Sequence, residues 1–125
     1  MTVYGPRPAL PKLQVGDPAV VVGRQHRSHV VYDATITKVG RAWVDLQAVN
    51  SPRKWRMRLD TQNEATGYSD SDSFRTPEQH EWDERLADAD KRLRAHGVYP
   101  DHASPWHNPE RRMRLADLLD QNTED

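Results

Sequence analysis

The chain has 125 residues, 35% of them hydrophobic and 30% charged, with no cysteine and a mean hydropathy of -0.97. That supplies one small core and excludes disulfides, thiolate catalysis and cysteine-based zinc sites. The formal net charge of -1 hides a division: residues 1–60 carry ten Lys and Arg against four Asp, and residues 61–125 carry eight Lys and Arg against fifteen Asp and Glu.

Such asymmetry points to an anionic partner for the front half, or to neutralisation of one half by the other within the fold. No run reaches the ~18 apolar residues of a membrane span. No basic n-region precedes an apolar h-region, so no secretory leader is expected. A cytoplasmic setting fits both features and the missing cysteines.

Residues 1–13 contain Pro6, Pro8 and Pro11. These fix φ and remove donors, so an extended, loosely attached arm is predicted. Residues 14–75 read as a small β-barrel, with the strands over 14–60. Val15-Gly16-Asp17-Pro18 is a turn, and Ala19–Val22 is a β-branched strand stopping at Gly23. The polar segment Gly23–Ser28 reads as a loop. A second strand runs over about 29–39 and turns at Gly40-Arg41.

The third strand, 42–49, alternates. Val44, Leu46 and Ala48 take one face; Trp43, Asp45 and Gln47 take the other. Asn50-Ser51-Pro52 breaks it. In the fourth strand, 53–59, Trp55, Met57 and Leu59 oppose Lys54, Arg56 and Arg58. Residues 61–75 read as a polar loop anchored by Tyr68 and Phe74, with a short fifth strand at Ser73–Arg75. Short strands at this spacing predict a small antiparallel barrel of about five strands.

Thr76-Pro77-Glu78-Gln79 is a helix start, with Thr76 as N-cap, Pro77 at N1 and Gln79 completing a capping box. The stripe Trp82, Leu86, Ala89, Leu93 defines an amphipathic helix over 77–96. It ends at Gly97 with Val98 as the apolar residue of a Schellman stop. After a linker over 99–108, Asn108-Pro109 opens a second helix over 109–120. The whole reads as one α+β domain, a small antiparallel SH3-like β-barrel followed by two helices.

The segments Val15-Gly16-Asp17-Pro18-Ala19-Val20-Val21-Val22-Gly23 and Ala34-Thr35-Ile36-Thr37-Lys38-Val39-Gly40-Arg41 resemble SH3-like and KOW-like barrels. A longer order of features follows the barrel: Gly67-Tyr68, Phe74-Arg75-Thr76-Pro77-Glu78-Gln79, Leu93-Arg94-Ala95-His96-Gly97-Val98 and Leu115-Ala116-Asp117-Leu118-Leu119-Asp120. Over about residues 14–120 this order resembles small SH3-like/KOW-like β-barrel proteins of actinobacterial phages. The resemblance implies a fold and a phage setting in a bacterial cytoplasm. It brings no catalytic residue.

Lys54, Arg56 and Arg58 share one strand face, about 6–7 Å apart, a repeat commensurate with the per-strand phosphate spacing. Arg53, Lys38, Arg41, Arg24 and Arg27 extend the patch, and Trp43 is placed to stack on a base. These residues are the candidate contacts to RNA, DNA or an RNA-containing host machine. The same row also serves as the solvated outside of a one-sided sheet.

The alternative is a protein-interaction module that binds a host protein through Trp82, Leu86, Leu93, Glu81, Asp83 and Glu84. A homo-oligomeric or virion-associated structural part is the third reading. No cofactor, metal or membrane partner is expected. Asp70-Ser71-Asp72-Ser73 lacks the glycine and distal Glu of a calcium loop. His80-Glu81-Trp82-Asp83-Glu84 lacks the second His of a zincin helix. His96, His102 and His107 have no zinc-site spacing. No nucleophile elbow, phosphate loop or dinucleotide turn occurs. The chain therefore reads as a binding module and not an enzyme.

Overall fold

The computed structural model describes residues 5–25, 28–64, 72–99 and 108–122. Tyr68, Asp70, Ser71, His102 and His107 lie outside the described residues. The elements are β1 (Pro18–Gln25), β2 (Ser28–Val39), β3 (Trp43–Ala48), β4 (Lys54–Arg58), β5 (Ser73–Arg75), α1 (Pro77–Ala95) and α2 (Pro109–Asn122). Two compact units contain them: Ala9–His80, and the rest of the described chain.

The five strands form one antiparallel sheet in the order β4-β3-β2-β1-β5. It curls into the half-barrel of a small SH3-like fold. The alternation read in β3 and β4 holds. Val44, Leu46, Ala48, Trp55 and Met57 are buried, while Trp43, Gln47, Lys54, Arg56 and Arg58 are exposed. Val21, Ala34, Ile36 and Phe74 complete the inner face. Gly16, at φ +95°, makes the entry turn, and its N–H donates to Ile36 O at 2.8 Å. A side chain is strained at that φ.

Two readings change. The segment Gly23–Ser28 is mostly ladder, since Gly23, Arg24 and Gln25 pair with Val30, His29 and Ser28. Strand pairing satisfies backbone groups whatever the side chains, so polarity misplaced the strand ends. The proline-rich arm is also tied down. Leu13 is buried in the barrel core and Leu10 packs on it.

Gln62 closes the sheet beside β5. It is a non-glycine residue at φ +58°. Its N–H donates to Arg58 O at 3.0 Å and its carbonyl accepts from Phe74 N at 2.8 Å. Its side-chain amide donates to Phe74 O at 3.0 Å and to Gln79 Oε1 at 2.8 Å. Gln79, 1% exposed, also forms the expected capping box. Thr76 N donates to Gln79 Oε1 at 3.0 Å, and Gln79 N donates to Thr76 Oγ1 at 3.1 Å. One buried carboxamide thus serves the helix cap and the strand closure together.

In the helical unit Trp82, Ala89, Leu93, Met113 and Ala116 form a second core. Trp82 Nε1 donates to Gly5 O at 2.9 Å, and Arg7 makes a two-point ion pair with Asp83 at 2.9 Å. α1 ends in the expected Schellman stop: Gly97 has φ +79°, Val98 N donates to Leu93 O at 2.9 Å, and Gly97 N donates to Arg94 O at 3.0 Å. Asn108 Oδ1 caps α2, accepting from Glu110 N at 2.9 Å. Arg92 reaches Asp88, Asp117 and Asp120 at 2.8–3.0 Å, and His96 Nε2 lies 2.9 Å from Asp120 Oδ1.

Replacing Gln79 by Ala strands the Thr76 N–H and breaks the tie to Gln62. Q79A should lose about 2–3 kcal/mol in urea unfolding followed by circular dichroism. A loss below about 0.5 kcal/mol would show that water replaces the carboxamide.

Arg92 first, and His96 second, hold the Asp120 carboxyl below its ordinary value. That contribution is present above the unfolded carboxylate pKa near 3.9 and is lost as pH falls through the lower folded value. R92A should therefore lower the urea midpoint at neutral pH, and lower it less below about pH 4. A cost independent of pH would assign the effect to packing of the Arg92 stem.

Candidate nucleic-acid interface

The outer face of β2, β3 and β4 gathers the candidate cations. The β3–β4 hairpin pairs Trp43 with Arg58, Asp45 with Arg56, and Gln47 with Lys54. On the other side of β3, Lys38 pairs with Asp45, after a bulge between Ile36 and Lys38. The result is a row across three strands, Lys38, Asp45, Arg56, with an acid between two bases.

The two arginines of this face are not bare. Arg56 donates from Nε and Nη2 to the two Asp45 oxygens at 2.7 and 3.1 Å. Arg58 donates in the same way to Asp60 at 2.8 and 2.7 Å. Asp60 Oδ1 also accepts from Thr61 N at 2.8 Å. The guanidinium of Arg58 stands 5.7 Å from the Trp43 ring centroid, so one face of that half-exposed indole carries a cation already. No ion pair of Lys38, Arg41 or Lys54 occurs among the described residues.

Titration follows this geometry. Hydrogen bonding from Arg58 holds the Asp60 carboxyl down to about 2. Hydrogen bonding from Arg56, helped by the charge of Lys38, lowers Asp45. The guanidinium of each partner is raised in turn. Two hollows open on the face. One, of about 190 Å³, is lined by Lys38, Gly40, Trp43, Asp45 and Arg56. The other, of about 480 Å³, includes Gln47, Lys54 and Arg56.

The remaining candidates lie elsewhere or outside description. Arg53 turns to the barrel end, its guanidinium carbon 5.3 Å from the Tyr32 ring centroid and 5.7 Å from that of Trp55. It also donates to Asp72 at 3.4 Å. The Arg24 side chain and all of Arg27 are outside the described residues.

On the helical unit, Trp82 and Leu93 are buried and Leu86 packs on the same core, while Asp83 is engaged by Arg7. Glu81 and Glu84 line a hollow of about 310 Å³ with Arg85, Asp88, Arg92, Met113 and Asp117. The sequence reading missed Asp45 and Asp60 as partners of the basic strand. The hairpin register, centred between Asn50 and Ser51, was the signal that places Asp45 opposite Arg56.

Compared with known protein families, residues 1–122 match the Phage ProQ C-terminal-like domain. The chain belongs to that family. No curated protein and no solved structure shows a significant match. The phage setting expected from the sequence is therefore shown at the level of the family. In this phage ProQ C-terminal-like domain no described helix is long and apolar enough to cross a membrane.

Removing Arg58 removes the main cause of the low Asp60 value. In R58A the Asp60 carboxyl, followed by NMR titration, should move from about 2 up toward the ordinary value near 3.9. A midpoint unchanged by R58A would mean that the Thr61 N–H sets it.

Proposed function

We propose that this phage ProQ C-terminal-like domain is a non-enzymatic RNA-binding module acting in the host bacterial cytoplasm. The observation that carries the reading is the common face of Lys38, Lys54, Arg56, Arg58 and Trp43 on adjacent paired strands, with Arg41 in the turn that joins two of them. Cations at a strand repeat contact successive phosphates, and an exposed indole offers a stacking surface without base selection. Single-stranded RNA suits such a face, because its bases are free to stack. The match to the Phage ProQ C-terminal-like domain points the same way. The KOW-like barrel and actinobacterial host implied by the sequence resemblance belong to the same proposal.

A second reading is favoured by the hollow bearing Glu81, Glu84 and Met113. It sets Glu81, Glu84, Asp88 and Asp117 around Met113, with Arg85 and Arg92 among them, an acid-rich lining suited to a basic segment of a host protein.

The deciding experiment is fluorescence anisotropy with labelled single-stranded RNA, single-stranded DNA and duplex DNA across a salt series. RNA should bind at micromolar or tighter affinity at about 50 mM salt, with a log–log slope of about -2 to -4. K54E/R56E/R58E should lose at least about tenfold in affinity while keeping its circular dichroism spectrum. No binding of any nucleic acid at low salt would sink the reading. Retained affinity in the triple variant would remove this face from it.

A further inference from the structure

Asp45 and Asp60 each fill the guanidinium fork of an arginine on this face. Each presents two oxygens to the Nε–Nη2 edge of an arginine at 2.7–3.1 Å, the edge that binds a phosphate by the same fork. Neither carboxylate is buried within the core: the Asp45 and Asp60 side chains are 26% and 61% exposed. Exposed pairs of this kind add little to stability. Asp60 is held from both sides, by Arg58 and by Thr61 N, so its own turn keeps it in place when Arg58 leaves. Asp45 stands between Lys38 and Arg56 in the ladder and shields both.

We propose that Asp45 and Asp60 are internal competitors for the phosphate-binding forks of Arg56 and Arg58, so that the face accepts an extended polyanion and discriminates against short phosphate ligands. The inference rests on the RNA-binding reading above and adds its regulation. A single phosphate replacing a single carboxylate exchanges one anion for another and gains little. A longer strand also reaches Arg41 and Lys54, which form no ion pair among the described residues, and these cations supply the net attraction. The carboxylates also fix the two guanidinium groups in place, so a ligand meets arginines that are already ordered.

The test compares labelled single-stranded RNA of about 4 and about 12 nucleotides on wild type, D45N/D60N and E78Q/E110Q. The last removes the same charge from the first turns of α1 and α2. In D45N/D60N the shorter RNA should bind about tenfold tighter at about 50 mM salt, the advantage of the longer RNA should narrow, and E78Q/E110Q should change little. Binding by D45N/D60N where wild type shows none would support the same masking in a stronger form. Equal tightening in both double variants would overturn the proposal in favour of net charge alone. Unchanged or weaker binding by D45N/D60N, with wild type binding intact, would overturn it and leave the RNA reading standing. Absence of binding in all three proteins would overturn both.

Discussion

The Gln79 carboxamide is the point on which the barrel unit turns. It is buried, and a buried amide left without partners costs about as much as several surface contacts contribute. Its oxygen accepts from the Thr76 backbone and from Gln62. The first contact starts α1, and the second holds the left-handed Gln62 that returns the chain from β4 to β5. The pairing of β5 with β1 places Thr76 directly after the sheet. Helix start, strand closure and sheet edge therefore share one group, and loss of any one exposes polar atoms of the others.

Charge is neutralised locally within the barrel. The division between a basic front half and an acidic back half invited the expectation that the halves pair across the fold. Arg56 and Arg58 instead pair with Asp45 and Asp60, all within the front half, while Arg53 crosses the division to Asp72 within the same unit. The helical unit follows a similar rule, with Arg92 joining Asp88, Asp117 and Asp120. Arg7 with Asp83 crosses the division as well. What the barrel leaves for a ligand is thus set by individual pairings, which a net charge conceals.

Much of this architecture was legible from residue order because local rules agreed with one another. Alternation in β3 and β4, the cap at Thr76 and the stop at Gly97 each rest on interactions within a few residues. The ends of β1 and β2 were less legible, because Arg24 and Gln25 join the ladder through their backbones and carry no apolar signature. The site was legible by face but not by state. Alternation placed Lys54, Arg56 and Arg58 together, whereas the occupancy of the two arginines depends on cross-strand register and on a turn aspartate. Arg53 was misplaced for a related reason. Its position one residue before Lys54 puts it on the other side of the pleat, toward Tyr32 and Trp55.

Gly23 illustrates how sequence drift is restricted here. A Cβ built on it would lie 2.8 Å from Asp72 Oδ1, while Asp72 Oδ2 accepts the Trp55 indole N–H at 2.8 Å. A larger residue at 23 requires the Asp72 carboxylate to turn or shift, and that movement acts on its bond to the indole and its contact with Arg53. Positions 23 and 72, far apart in the chain, are therefore sterically coupled, and the volume allowed at one depends on the freedom left to the other.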